Sequence, residues 1–481
     1  MISIEELATF CKKKGFVYPS SEIYGGLAGF WDFGPLGVEL FNNIKSSFWR
    51  FFVQSRDNMV GIEASIISHP KTWKASGHIA NFNDVHVICE KCKKPNKLDK
   101  NEVGKVNCIH CGGKYRVIGN LNLMFSTNIG PIEGNTSYLR PETAQGMFLD
   151  FRSIVDTSRV KLPFGVAQIG KCFRNEIAPR DFLFRSREFN IAEFEFFIHP
   201  NQLKCSSLTK QHLDIKVQFL SSETQEKGKE EPKPTSISEM LKFKKLDEWH
   251  AYWLAEQLQW YVSIGLNMKN IKVREHTKSE LSHYSSATFD VDYLYPFGSK
   301  ELGGNANRSQ YDLNQHIKES KQDLLFFDEE SKEKVIPRVI EPTFGIERAF
   351  LAVICEAYEF DKERGNVVLK LDLKLAPYKA AVFPLLSNKD ELLKLAETVH
   401  KELKKDITCF YDKSGSIGRR YARQDEIGTP FCITVDFDSI KNKDVTIRDR
   451  DSTKQKRIKI VNLKETLRKL INGEVDFKKL S

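Results

Sequence analysis

Apolar and polar side chains alternate most sharply between positions 166 and 198. Residues 166–176 have the composition of a strand, and a period of two sets Cys172, Arg174 and Glu176 on one face. A second strand starts near Glu188. It sets Phe189, Ile191, Glu193, Glu195 and Phe197 on one face and Phe194, Phe196 and Ile198 on the other, and the second set reads as core. Between the strands runs a basic loop through Arg180, Arg185 and Arg187. Unpaired carboxylates are costly to bury, so the face of Glu193 and Glu195 should meet a cation or water. Arg174 can hold a carboxylate or phosphate bidentately, or form a structural ion pair across the two strands.

Helical spacing marks residues 4–14, 38–53, 249–266 and 346–358. In the second of these, Leu40, Phe41, Ile44, Phe48, Phe51 and Phe52 form an aromatic face that must cover the chain's own core or a second subunit. Pro141 keeps Arg140 extended, and a helix can start at Glu142. Strands are expected at 288–295 and 335–341, a ligand-lining loop at 301–308, and a turn at 342–345 that leads into a helix carrying Glu347 and Arg348 in its first turn. Residues 221–238 hold Ser, Thr, Glu, Lys and Pro with almost no core positions and read as a mobile insertion. Past a boundary near 373–377, strands and helices alternate, ending in a hairpin at 444–449 and 457–461. That pattern describes a separate α/β domain.

Composition changes this picture little. A chain of 481 residues, 41% hydrophobic and 28% charged, can bury the cores of two to four domains. No apolar run reaches the roughly 18 residues of a membrane span, and the first sixteen residues lack the apolar segment of an export signal, so a cytoplasmic protein is expected. A net charge of +9 is compatible with a polyanionic partner. Arg419, Arg420, Arg423, Arg448, Arg450, Lys454, Lys456 and Arg457, interleaved with Tyr411 and Tyr421, suit single-stranded RNA or a solvated basic face equally. Of the ten cysteines, Cys89, Cys92, Cys108 and Cys111 form two C-x2-C knuckles fifteen residues apart, the spacing of a closed structural zinc site. His110 is surplus to such a shell.

Several short motifs occur in a fixed order: Arg140-Pro-Glu-Thr-Ala-Gln145, Phe173-Arg-Asn-Glu176, Phe184-Arg-Ser-Arg-Glu-Phe189, Glu341-Pro-Thr-Phe-Gly345 and Gly345-Ile-Glu-Arg348. Together with the aromatic helix and the run to His69-Pro70, they resemble the three motifs of class II aminoacyl-tRNA synthetases, and within that class the dimeric glycyl family. The stretch from Gly415 to Phe431 is similar to the anticodon-binding domain shared with the prolyl, threonyl and histidyl enzymes. The resemblance covers nearly the whole chain apart from 201–246.

The resemblance implies an α+β fold: a class II antiparallel sheet with flanking helices, a small zinc-ribbon insertion, and a C-terminal α/β anticodon-binding domain. The expected divisions are 1–85 with the dimer-interface motif, 86–118 the ribbon, 119–200 with the second motif, 201–285 an insertion, 286–373 with the third motif, and 374–481 for the anticodon. It implies ligation of glycine to tRNA(Gly) through glycyl-adenylate, by a homodimer. Adenylate formation needs no protein nucleophile, so positioning and charge neutralisation are the work required. Arg174 would bridge the attacking carboxylate and the α-phosphate. Phe189 would stack on adenine, with Arg348 on its other side reaching the γ-phosphate. Asn175, Glu176, Phe184, Arg185, Ser186, Arg187, Glu188, Glu301, Leu302, Gly345, Ile346 and Glu347 would complete the ATP site, with Glu301 a magnesium ligand. Glu142, Glu193 and Glu341 would surround the glycine ammonium, with Phe189, Asn190, Ile191, Ala192, Pro342, Thr343, Phe344 and Gly345 as the remaining walls. Thr343 stands where the family commonly has serine, Phe297 where it has tryptophan, and Lys97 where a substrate-facing arginine is usual. Other class II synthetases fit less well, because the three glutamates occur together and no insertion has the size of an editing domain. A non-catalytic synthetase-like RNA-binding protein would be expected to lack Arg174, Arg348 and Glu301.

Overall fold

The two strands around the basic loop sit inside a nine-stranded sheet. The computed structural model describes residues 2–98, 103–131 and 136–480, and the side chains of Asp84, Lys97 and Leu121 also lie outside the description. In chain order the sheet strands are β1 (Met59–Gly61), β2 (Phe164–Phe173), β3 (Glu188–Ile198), β4 (Lys216–Leu220), β5 (Lys233–Ser236), β6 (Ile271–Glu275), β7 (Ala287–Tyr295), β8 (Gly298–Ser309) and β9 (Arg338–Gly345). Their order across the sheet is β5-β4-β6-β7-β8-β9-β3-β2-β1. Neighbours are antiparallel except β1 with β2 and β4 with β6.

Cys172 pairs with Phe189 and Gln168 with Glu193, the facing that alternation predicts. Strand β2 stops at Phe173, however, so Arg174 and Glu176 stand in the loop beyond it. Gly170 of β2 has a steric reason to be glycine. A Cβ there would lie 2.0 Å from Nη2 of Arg140, whose guanidinium crosses the strand to donate to the carbonyls of Lys171 and Ala64.

One face of the sheet is dry. Helices α1 (Ile4–Lys14), α2 (Pro35–Trp49), α4 (Glu248–Ser263) and α6 (Ile346–Ala357) contribute to the core cluster that also takes Phe194, Phe196, Ile198, Leu302, Ile340 and Phe344. Leu40, Phe41, Ile44, Phe48 and Phe52 of the aromatic face are buried within this one chain. Of the two roles open to that face, the chain's own core takes it. Helix α2 continues as a π turn over Arg50–Gln54. On the other face, α3 (Ala144–Leu149) and α5 (Tyr311–Ser320) pack over one end around Phe164, Phe197 and Val339, and leave the other end open.

Three expectations change. Residues 301–308 are a strand rather than a loop, and 342–345 continue β9 rather than turning. The insertion is ordered: residues 216–236 form the β4–β5 hairpin with a short helix, Ser222–Glu226, between its strands. Its polar residues are turn and cap chemistry. The Ser221 hydroxyl accepts from the Thr224 amide, and Ser236 forms a capping box with Glu239. Val217, Phe219, Ile237 and Met240 supply the anchoring core.

The C-terminal unit is a five-stranded sheet of β10 (Ala380–Pro384), β11 (Cys409–Tyr411), β12 (Phe431–Val435), β13 (Asp444–Asp449) and β14 (Gln455–Lys459), ordered β11-β10-β12-β13-β14. Helices α7 (Asp390–Leu403), α8 (Ile417–Glu426) and α9 (Ile460–Asn472) flank it. Arg419, Arg420 and Arg423 lie on α8. The basic cluster divides. Arg420, Arg448 and Arg450 are buried, bound respectively to the Gly415 carbonyl, the Asp425 carboxylate and the Leu371 carbonyl, whereas Arg419 and Lys454 are exposed. Among the described residues no helix is long and apolar enough to cross a membrane.

Candidate active site

The open end of the sheet is built by β3, β8 and β9. Glu193 lies opposite Thr343 across β3 and β9, so the face carrying Phe189, Ile191, Glu193 and Glu195 also carries Glu341 and Thr343. The same alternation turns Ala192 and Phe344 into the dry core, together with Leu302 and Ile346. These four side chains therefore do not reach the open face, which corrects their expected place as walls of the site.

A cavity of about 200 Å³ opens there, lined by Arg174, Glu176, Phe184, Arg185, Ser186, Phe189, Asn190, Ile191, Glu301, Thr343, Gly345, Glu347 and Arg348. The Arg174 guanidinium stands 5.3 Å from the Phe189 ring centre and 5.5 Å from that of Phe82, and its Nε donates to the Pro141 carbonyl at 3.1 Å. The corner before α3 thus aims it. Arg348 lies 4.5 Å over Phe184 and pairs with Glu301 at 3.0 Å. That guanidinium holds the Glu301 carboxyl below its usual range. Arg185 pairs with Glu176 at 3.2 Å. Glu347 accepts from the backbone amide and side-chain amide of Asn190, at 2.7 and 2.8 Å, and latches α6 to β3; burial pushes its carboxyl up to about 7.

Three expected residues are not among those lining this cavity: Asn175, whose backbone N–H donates to the Leu123 carbonyl, Arg187, whose guanidinium donates to the carbonyls of Glu176 and Ala28, and Glu188, which pairs with Lys171. A second cavity, about 600 Å³, shares Phe184, Arg185, Glu301 and Arg348 with the first. Lys229 and Glu230 of the insertion and Lys272, Arg274 and Lys300 form its far walls.

Beside these cavities the carboxylates of Glu142, Glu193, Glu195, Glu341 and Asp312 are buried around one guanidinium, Arg308. Arg308 donates to Asp312 at 2.7 and 2.8 Å and to Glu341 at 2.7 Å, and its guanidinium lies 3.9 Å from the Tyr284 ring centre. His78 lies 3.2 Å from Glu142, and Gln145 donates to Glu142 at 2.9 Å and to Asp312 at 3.0 Å. Glu193 accepts from the Thr143 amide at 2.7 Å and from the Thr143 hydroxyl, and lies 3.4 Å from the Thr343 hydroxyl. Burial favours the neutral form of all four glutamates. His78 and Arg308 overcome it at Glu142, whose carboxyl is held well below its usual range. Burial prevails at Glu193 and Glu195, and pushes Glu341 up to about 8 against the pull of Arg308.

The cation expected on the face of Glu193 and Glu195 is thus Arg308. Sequence reasoning had placed it at the end of a loop and did not single out Asp312 or His78. The usable signal was the strand parity of 304, 306 and 308, which becomes visible only once 298–309 is recognised as one strand paired to β9.

The four-cysteine knuckles sit on a three-stranded sheet of Asn83–Cys89, Pro95–Leu98 and Tyr115–Asn122. Their sulfurs all lie within 4.8 Å of one another, with Cys89–Cys111 at 3.4 Å and Cys92–Cys108 at 3.6 Å. A tetrahedral shell with bonds of about 2.3 Å has edges near 3.8 Å, so the sulfurs fit such an ion. His110 is exposed and outside the group. Lys97 lies on the second of these strands, and its side chain is outside the described residues.

Comparison with known proteins extends the geometry. Residues 379–470 match the family described as anticodon binding domain, and residues 128–220 match the class II core domain of the tRNA synthetases for G, H, P, S and T. The chain is 42% identical over 473 residues to the glycine–tRNA ligase of Borrelia hermsii, covering 96% of each. It is 43% identical over 501 residues to that of Geobacillus thermodenitrificans, covering 98% of each. With the Treponema denticola ligase it shares 42% over 470 residues, 95% of this chain and 94% of the relative. Similarity at that level from end to end, on a sheet that gathers the arginines and glutamates of the ordered motifs, places the chain in the glycine–tRNA ligase family of class II aminoacyl-tRNA synthetases.

Proposed function

We propose that the protein activates glycine with ATP to glycyl-adenylate and pyrophosphate, then transfers the glycyl group to the 3′ end of tRNA(Gly). The observation that carries this reading is the juxtaposition of two opposite fields: Arg174 and Arg348 on the small cavity, and the carboxylates of Glu142, Glu193 and Glu341 beside it. Glycine offers an ammonium and a carboxylate and no side chain, so recognition must use charge and excluded volume. One methylene is worth only about 1–3 kcal/mol, and a pocket narrowed by Thr343 is asked to exclude alanine by that margin.

In the adenylation step Arg174 holds the glycine carboxylate against the α-phosphate and offsets the charge that develops there. Phe189 supplies the ring on which adenine stacks. Phe184, Arg185, Ser186 and Arg348 hold the nucleotide on the other side, and the adjoining cavity receives the polyphosphate end. Glu301, half-exposed between the two cavities, offers an oxygen donor for Mg²⁺. The four cysteines would hold one Zn²⁺ in a closed shell, where the ion cross-links the ribbon and takes no part in the reaction. The exposed arginines of α8 would meet the anticodon arm in the cytoplasm. For a homodimer, the aromatic face of α2 is spent on the chain's own core; Ile23, Tyr24 and Leu27, close together in the sequence, are among the exposed apolar side chains that could contribute.

The test is ATP–pyrophosphate exchange on the purified protein. Exchange should appear with glycine, remain near background with alanine, and fall by about 10²–10³ in Arg174→Ala, the loss typical of one preorganised charge donor. Exchange with another amino acid in preference to glycine, or with none, overturns the reading.

A further inference from the structure

Glu195 is left without a task by this assignment. It is fully buried, and among the described residues neither of its oxygens has a hydrogen-bond partner. It lies two residues beyond Glu193 on the same face of β3, and the pairings Glu193–Thr343 and Phe196–Ile340 set it opposite Glu341 of β9. On its other side it faces Val166 of β2, which cannot pair with it. The charged groups around it are Glu341, Arg308, Glu193 and Asp312, with Glu142 and His78 beyond. Helix α3 brings it no titratable side chain, and α5 brings Asp312 and His316.

The charges here do not balance. Five carboxylates face one guanidinium and one imidazole. Asp312 takes two of the guanidinium's hydrogen bonds and Glu341 a third, and His78 is placed on Glu142. Glu193 has the amide and hydroxyl of Thr143. Among the described residues Glu195 has no hydrogen-bond donor, and the nearby cation, Arg308, is already bonded to Asp312 and Glu341. A carboxylate in that position takes up a proton instead of staying charged, and two facing carboxyls served by one cation titrate as a pair.

We propose that, without amino acid, Glu195 and Glu341 carry one proton between them, and that a glycine ammonium seated against Glu193 and Glu341 expels it to solvent. Glu195 is then a further positioning residue of the amine site. The step balances: one carboxyl O–H loses its proton to water, the carboxylate formed takes the ammonium as counter-ion, and no other bond changes. The upward shift of both carboxyls by burial agrees with a proton held at neutral pH. The inference rests on the proposed assignment of the ammonium to this cluster.

The experiment adds glycine to the full-length protein at pH 7. Proton release is read with an indicator dye in light buffer, and by calorimetry in buffers of different ionisation enthalpy. Wild type should release close to one proton per glycine bound. Glu195→Gln keeps the shape and removes the shared proton, so its release should fall close to zero. The glycine KM in pyrophosphate exchange should drop about tenfold from pH 6 to pH 7 in wild type, one proton per pH unit, and stay flat in the variant, with the ATP KM unchanged in both. A folded Glu195→Gln with the wild-type pH slope, or wild type binding glycine with no proton released, overturns the inference. If the variant does not fold, the wild-type proton count decides alone. Wild type that neither binds nor activates glycine overturns the proposed function instead.

Discussion

Replacing Arg308 with methionine removes the one guanidinium inside five buried carboxylates while keeping an unbranched apolar stem. Asp312 loses hydrogen bonds of 2.7 and 2.8 Å, and Glu341 loses one of 2.7 Å. Each charge-assisted bond is worth about 1.5–3 kcal/mol, so the gross loss is roughly 4.5–9 kcal/mol. Protonation of the abandoned carboxyls recovers part of that. The expected net cost is about 3–5 kcal/mol, the range for breaking a buried pair by removing one partner. Urea unfolding followed by fluorescence reads it directly, since Trp249, Trp253 and Trp260 are buried in the core of the same sheet. The pH dependence has a defined sign. Without Arg308 the folded-state pKa of Glu341, already raised by burial, rises further above its unfolded value. A carboxyl raised in that way stabilises the fold at low pH and loses that contribution as pH climbs. With the wild-type Glu341 carboxyl at about 8, the gap between wild type and variant should therefore widen as pH rises through and above about 8. Adding Asp312→Asn to the variant removes the carboxylate that lost two of the three hydrogen bonds and should restore at least about 1 kcal/mol, a coupling expected of residues in contact. A loss below about 1 kcal/mol in the single variant, or a gap that narrows with rising pH, refutes the charge accounting.

Two further predictions separate structural from functional groups. Metal analysis of the protein as purified should give one zinc per chain, and Cys108→Ser should lose that zinc and protease resistance around residues 83–122, while a zinc-bound protein with intact thiol reactivity at all four cysteines would refute the shell. In the C-terminal unit, Arg448→Ala breaks a bidentate buried pair with Asp425 and should destabilise that unit by about 3–5 kcal/mol, whereas the exposed Arg419→Ala should leave its melting unchanged and raise the KM for tRNA; the opposite pattern would refute the division of the basic cluster.

How much was legible depended on whether a local period carried the information. The facing of β3 and the helices at 4–14 and 346–357 follow from spacing of two or of three to four, and the structure has them within a residue or two. The cysteine spacing likewise led to a cluster of four sulfurs. What failed was non-local. Glycines and asparagines at 303–307 looked like a loop because glycine lacks a side chain to pack, yet they form the middle of a sheet where Gln257 of α4 approaches the Gly304 carbonyl at 3.1 Å. The insertion looked unstructured because its serines were counted as solvent-seeking rather than as caps for short elements. The basic cluster was read as surface, but an arginine's exposure depends on whether a carboxylate or carbonyl waits beneath it, and no sequence window around Arg448 reveals Asp425.

The site's polarity follows from how the fold spends its arginines. Arg308 is committed to acids: three of its five N–H donors go to Asp312 and Glu341 and its plane lies on the Tyr284 ring, so most of its charge is taken up within the protein. Arg174 is the reverse. Its Nε is fixed on the Pro141 carbonyl, two aromatic rings flank it, and among the described residues no carboxylate lies within ion-pair distance. A guanidinium held in place by neutral contacts keeps its charge for a ligand, and a guanidinium surrounded by acids leaves the surplus negative charge for one. These two conditions stand side by side on one sheet face, and a small zwitterion bound with a phosphate ester satisfies both. A purely cationic or purely anionic amino-acid analogue satisfies only one, so charge carries the affinity, whereas larger amino acids bear the same two charges and must be excluded by the volume of the pocket.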